Sequence, residues 1–236
     1  MNLDYAKRTE RLAASRTQEH SSGHRGYDLV TAAYNRAIAF GLIVALVPLW
    51  LTIALLIKLT SPGPVLFRMP IVGQLGSTFT YYKFRTMKIG QDDSGHRDWI
   101  RAFVRDDQPY TRDPAGSPVF KVVDDPRVTR VGRWLRRASL DELLQLINIL
   151  RGEMNLVGPR PPIAYEYGLY RPHERLRLAV KPGITGLYQV RKRGRASFSE
   201  MLALDLEYVQ RRSLWLDLSI ILRTPRAMLQ GEVSRP

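Results

Sequence analysis

Asp141 and Glu142 stand side by side in the string Ser-Leu-Asp-Glu-Leu. On their own they have a plain structural explanation. Ser139-x-x-Glu142 is the pattern of a capping box, and acids in a first helical turn favour the macrodipole. Their surroundings suggest chemistry. Residues 126–140 hold five arginines (Arg127, Arg130, Arg133, Arg136, Arg137) and no acid, and residues 171–195 hold eight Lys/Arg against one acid. A helix N-terminus with arginines beside it attracts phosphate. Two carboxylates there would repel it unless a divalent cation mediated, and Mg²⁺ commonly takes one or two carboxylates plus substrate phosphates. The same positive field is expected to keep an aspartate ionised and able to attack phosphorus. Phosphoryl transfer on a lipid-borne or nucleotide substrate is the natural chemistry. A solvated, lipid-contacting basic face is the competing explanation of the arginines.

The elements that must position this pair follow from pattern. Leu140, Leu143, Leu144, Ile147 and Leu150 have helical spacing, with Ser139 as N-cap and Gly152 as stop. One helix from Ser139 to about Arg151 is expected. Beyond it, residues 158–162 (GPRPP) form a rigid loop presenting Arg160, and residues 181–186 (KPGITG) form a second tight loop. Residues 65–69 and 78–85 read as a β-hairpin. Residues 88–123 are polar and read as a surface insertion with a short helix near 99–104. Residues 200–222 read as helical, the last ten an amphipathic piece around Trp215. With Arg211, Arg212 and Arg223 nearby, that piece suits a membrane interface or a packed C-terminal helix equally.

Residues 37–57 hold no charged side chain (AIAFGLIVALVPLWLTIALLI). As a straight helix this run is roughly 31 Å long, about one hydrocarbon core. It starts too late and runs too long for a secretory signal. Pro48 near its middle removes a backbone hydrogen bond. A kinked span and a helix-break-helix leaving by the face it entered both tolerate that. Residues 1–36 carry six Lys/Arg and four acids, so both flanks are basic and charge does not choose. Residues 1–28 read as a polar tail. His20 and His24 in it have i,i+4 spacing but no accompanying carboxylates. The whole chain of 236 residues carries a net charge of +14 and no cysteine. That excludes disulfide scaffolds, thiol nucleophiles and zinc ribbons, and it asks for an anionic partner: nucleic acid, anionic lipid or a phosphorylated substrate.

The strings YKFRTM (82–87), DDPRVTRVGRWLRRASLDELLQL (124–146), GEMNLVGPRP (152–161), KPGITGLYQV (181–190) and LDLEYVQRRSLWLDL (204–218) together resemble the bacterial sugar transferase family. These are small monotopic phosphoglycosyl transferases that start glycan assembly, exopolysaccharide included, on polyprenol phosphate. The resemblance implies transfer of a phospho-sugar from a UDP-sugar to undecaprenyl phosphate, with release of UMP. It implies Asp141 as nucleophile, forming a covalent phosphosugar–aspartyl intermediate, and Glu142 as a Mg²⁺ ligand. Lys83 matches the family's lysine before the insertion. Arg136 and Arg160 match phosphate-handling arginines, and Arg193 falls where the family's Gly-Arg arginine lies. Asp205 matches the aspartate of Leu-Asp-x-x-Tyr-Val. Arg85, Arg127 and Arg137 complete the expected phosphate-binding set. Pro48 lies where the family breaks a re-entrant helix, with Val47 replacing the usual serine. Gln-Val-Ser-Gly-Arg of the family is here Gln-Val-Arg-Lys-Arg. The four N-terminal spans of the long members are not in this sequence.

The expected fold is therefore α+β and mostly helical, in a monotopic membrane protein. It comprises a tail (1–28), a re-entrant membrane helix (29–60) and a cytoplasmic catalytic domain (61–236). Expected partners are the UDP-sugar, undecaprenyl phosphate and membrane phospholipid, without nucleic acid. A homodimer is left open, and the expected location is the cytoplasmic face of a bacterial inner membrane. Two rival readings are a membrane-anchored basic binding protein, for nucleic acid or anionic lipid, and a degenerate non-catalytic member. The first does not explain acids at the centre of the basic cluster; the intact Asp141-Glu142 pair argues against the second.

Overall fold

In the computed structural model, residues 25–90, 92–112, 118–120, 125–192 and 194–230 are described. The tail with His20 and His24, and Arg193, lie outside them. Helix α1 (Arg25–Thr60) holds the uncharged run and passes through Pro48 without leaving helical geometry. Thr52 Oγ1 donates to the Pro48 carbonyl at 2.9 Å, a back-bond that bends helices. This is the one helix long and apolar enough, among the described residues, to cross a membrane.

α1 lies against the rest of the protein from end to end. Near its start, Tyr27 and Tyr34 donate to Asp217, and Asn35 Oδ1 accepts from the Leu156 amide at 2.8 Å. Ala39, Ile43, Leu46 and Trp50 pack with Ile71, Tyr81, Leu146 and Ile149. Ile53 and Ile57 are buried against Phe84, Leu135 and Leu144. The other side exposes Phe40, Val44, Val47, Leu51, Leu55 and Leu59.

The expected hairpin is present: β1 (Leu66–Val72) pairs antiparallel with β2 (Thr78–Phe84). The insertion's α2 (Ser94–Asp106) is longer than expected and faces inward along Ile100, Phe103 and Val104. These meet Phe120, Tyr170, Phe198 and Met201. Two short strands follow, β3 (Thr111–Arg112) and β4 (Pro118–Val119).

The helix expected from Ser139 is built otherwise. α3 (Arg130–Arg137) starts at Thr129, whose hydroxyl accepts from the Gly132 amide at 2.9 Å. Ser139 then takes φ 55°, ψ 22°, and its side chain makes no capping hydrogen bond. An N-cap needs extended backbone, and here the chain turns straight from one helix into the next. A 3₁₀ stretch (Leu140–Gln145) leads into α4 (Leu146–Leu150). Glu142, whose carboxylate the box would use, is drawn instead to Lys83.

β5 (Asn155–Val157) runs parallel to β6 (Gly183–Thr185), with α5 (Ala164–Gly168) and a 3₁₀ stretch (Glu174–Ala179) between them. α6 (Leu187–Lys192), α7 (Phe198–Arg211) and α8 (Leu214–Gln230) close the chain. α8 packs on one side and exposes apolar residues on the other. Asp217 and Ile220 are buried, while Leu214, Trp215, Leu218 and Leu222 form an exposed apolar stripe.

Candidate active site

Strand β2 and the 3₁₀ stretch after Ser139 bring the acids to a cation. Residues two apart on a strand share a face, so Tyr81 and Lys83 point together toward the stretch. Lys83 Nζ lies 2.6 Å from Glu142 Oε1 and 3.8 Å from Asp141 Oδ2. The ammonium also stands 5.4 Å from the centre of the Tyr81 ring. Asp141 is only 6% exposed, whereas Glu142 keeps a third of its side chain in solvent. Burial pushes the Asp141 carboxyl up to about 6; the Glu142 charge adds to this, while Lys83 and Arg136 pull against it. The positive field thus does not hold this carboxyl below its ordinary value, because a nearly buried carboxylate loses more hydration than its neighbours return, although a group ionising at about 6 is mostly carboxylate at neutral pH.

Arg136 is held from the other side. Its Nε donates to Thr86 Oγ1 at 2.9 Å, leaving the two terminal nitrogens directed elsewhere, within electrostatic reach of Asp141 and Glu142. α3 can approach so closely because Gly132 has no side chain: a Cβ there would stand 2.1 Å from the Thr86 carbonyl oxygen. Arg160 arrives on the 158–162 loop. Its half-exposed side chain brings Nη1 to 3.8 Å from Glu166 Oε2, and the buried Tyr81 lies within electrostatic reach of both Arg160 and the acids. Three glycines interlock the loops behind it. A Cβ on Gly183 would meet the Gly158 nitrogen at 2.1 Å, and one on Gly186 the Gly158 oxygen at 2.3 Å.

Lys83 and Arg136 therefore gather around Asp141 and Glu142 and Arg160 stands beside Glu166, while the other expected residues go elsewhere. Arg85 is buried and donates to the carbonyl oxygens of Ser61 and Pro62, in the turn just past the end of α1. Arg127 pairs with Asp125 at 2.7 Å and donates to the Asp92 carbonyl, pinning the insertion. Arg137 is exposed along with Arg130 and Arg133 on the outer side of α3. Asp205 is fully buried against Arg177. That guanidinium also donates to Tyr170 Oη at 2.6 Å and to the Arg160 carbonyl at 3.0 Å. Asp205 thus acts on the site through Arg177, by fixing the backbone that carries Arg160.

Pattern reading missed Tyr81, Thr86, Glu166 and Arg177. Tyr81 was findable, since it sits two residues before Lys83. Glu166 and Arg177 carried no local signal, because their partners lie on other elements. Among the described residues no group of three His, Asp or Glu could hold a metal. The acid pair alone could, and the Lys83 ammonium already occupies a cation position between the two carboxylates.

A sequence profile of bacterial sugar transferases matches residues 26–231. The chain belongs to the bacterial sugar transferase family. Among its relatives is the exopolysaccharide production protein ExoY of Sinorhizobium fredii, 39% identical over 81% of this chain and 82% of that protein. The UDP-glucose:undecaprenyl-phosphate glucose-1-phosphate transferase of Caulobacter vibrioides is 43% identical over 81% of this chain and 67% of its own. The galactosyl transferase CpsE of Streptococcus agalactiae is 39% identical over 72% of this chain. The match covers about a third of CpsE (35%), so the family's members differ greatly in what they carry beyond the shared part. Residues 26–231, matched by the family profile, contain the elements placing Asp141, Glu142, Lys83, Arg136 and Arg160.

Proposed function

We propose that this family member is a phosphoglycosyl transferase moving a phospho-sugar from a UDP-sugar to undecaprenyl phosphate, with release of UMP. The observation that carries the reading is one buried carboxylate, Asp141, beside Lys83, Glu142 and Arg136. Asp141 Oδ attacks the phosphorus bearing the sugar. The bond from that phosphorus to the bridging oxygen breaks, and UMP leaves with the electron pair. An oxygen of undecaprenyl phosphate then attacks the same phosphorus and expels Asp141 as carboxylate. Splitting the transfer between two bulky anions lets one site serve a soluble donor and a lipid acceptor in turn.

Arg136 and Arg160 supply the charge that holds both phosphorylated substrates, and Lys83 orients the carboxylates. Glu142 would hold Mg²⁺, which when bound would neutralise phosphate charge beside Asp141. The placement of α1 supports a monotopic arrangement, and the UDP-sugar donor of the proposed reaction assigns the folded unit to the cytoplasmic face of the inner membrane. Both its ends touch the same folded unit, through Tyr27 and Asp217 at one end and Ile57 and Phe84 at the other. A helix crossing the bilayer would have to leave that unit. Re-entry with a bend at Pro48 is the form proposed.

The test is UMP release over a panel of UDP-sugars with undecaprenyl phosphate and Mg²⁺. Asp141→Asn is expected to abolish it. Glu142→Gln is expected to lower kcat/KM and raise the Mg²⁺ needed for half-maximal rate. Wild-type turnover by Asp141→Asn would sink the mechanism.

A further inference from the structure

The opposite face of strand β2 gathers positive charge that the proposed reaction does not use. Consecutive strand residues point to opposite faces. Lys83 turns to Glu142, while Tyr82 and Phe84 turn toward the cluster containing Ile53 and Ile57 of α1. Two guanidinium groups converge on Tyr82. Arg68, its cross-strand partner on β1, places Cζ 5.9 Å from the ring centre. Arg151, just past α4, places Cζ at 5.2 Å and donates from Nη1 to Tyr82 Oη at 2.7 Å.

Both arginines are exposed, and neither makes an ion pair among the described residues. Cation–π contact fixes each group over the ring. Two like charges at one ring repel each other, so an anion bound beside Tyr82 gains from both. The neighbourhood is apolar. Leu66 and Leu150 are exposed, and a groove of about 400 Å³ runs along Pro64, Val65, Leu66 and Arg68. A paired cation beside an open apolar groove, continuous with the membrane helix, matches a phosphate with an acyl chain attached.

We propose that Arg68, Arg151 and Tyr82 form a binding site for the headgroup phosphate of an anionic phospholipid, with an acyl chain along the 64–68 groove. The site is separate from the acid pair because strand β2 stands between them. It rests on the membrane placement proposed above and not on the reaction.

The test uses the full chain, delipidated in a neutral detergent. Phosphatidylglycerol, phosphatidylcholine and undecaprenyl phosphate are titrated separately and bound lipid is counted by native mass spectrometry. Arg68→Gln/Arg151→Gln is compared with a charge-matched control on α2, Arg101→Gln/Arg105→Gln. The expected result is a loss of phosphatidylglycerol affinity of about tenfold or more in the first variant, the scale of one charge-assisted hydrogen bond. The control should stay at wild-type affinity, as should undecaprenyl phosphate in both variants. Matching melting curves show that folding is intact. An unchanged phosphatidylglycerol affinity in the first variant overturns the proposal, as does an equal loss in the control. So does a loss confined to undecaprenyl phosphate, which would give the site to the acceptor. None of these readouts needs turnover, so failure here leaves the proposed reaction standing.

Discussion

Burial and charge oppose each other at Asp141, and the balance is measurable as a pH dependence. The carboxyl ionises at about 6 in the free protein, and attack on phosphorus needs the carboxylate. The acidic limb of kcat/KM, which reports the free enzyme, should therefore rise through pH 6. Lys83 lowers that value, so Lys83→Met should move the limb to higher pH as well as reduce the rate. A limb left in place would show that the ammonium does not tune Asp141. Stability carries the opposite sign. A carboxyl raised in the folded state contributes stability below its ordinary value near 4, and loses it as pH rises through about 6. Asp141→Asn removes that loss. It should be more stable than wild type at pH 8 by an amount on the order of 2 kcal/mol, with the difference gone by pH 4 in paired thermal melts.

Two Ser-x-x-Glu strings test local pattern against context at the scale of the element. Ser197 and Glu200 form the full capping box at the start of α7. Ser139 and Glu142 have the same spacing, yet Ser139 sits at positive φ and Glu142 is held by Lys83. Ser197→Ala should cost about 1 kcal/mol in denaturant unfolding. Ser139→Gly should cost nothing or stabilise slightly, because glycine adopts that backbone without strain. Destabilisation by Ser139→Gly equal to that of Ser197→Ala would mean the first serine is a cap after all. The glycine lock of the two loops is a second device at this scale. Gly183→Ala would drive a methyl to 2.1 Å from the Gly158 nitrogen, a contact with backbone that cannot swing aside. It is expected to cost about 3 kcal/mol and to lower activity through a displaced Arg160.

Over the whole molecule, the helix α1 and the amphipathic helix α8 are joined by one buried acid. Tyr27, Tyr34 and Tyr208 all donate to Asp217, so the start of the apolar helix is fastened to the face that exposes Trp215 and Leu222. The absence of native cysteine makes topology directly measurable. Cysteines placed at Gly26 and Gly95, both with open space around them, should react with a membrane-impermeant reagent from the same side in vesicles. Labelling from opposite sides would mean that α1 crosses the bilayer. Asp217→Asn, which keeps two acceptor contacts at most, should speed proteolysis near residue 25 with the catalytic helices still intact.

Several features of this protein are legible in local residues alone. The apolar run, the hairpin, the two proline-glycine loops and the acid pair among arginines all arise from neighbours in sequence, whose spacing survives folding. The family membership follows from the same strings. What tertiary structure decided is where each charge is used. Arg85, Arg127, Arg136 and Arg160 are equivalent as arginines, but Arg136 is set toward Asp141 and Arg160 toward Glu166. The other two are drawn away by groups distant in sequence or fixed by local geometry: carbonyls in the turn just past the end of α1 and the carboxylate of Asp125. Desolvation likewise depends on everything packed around a group, so no local pattern could show that burial would outweigh the arginines at Asp141. A charged side chain goes to the partner that compensates its lost hydration, and that partner is known only once the chain has folded.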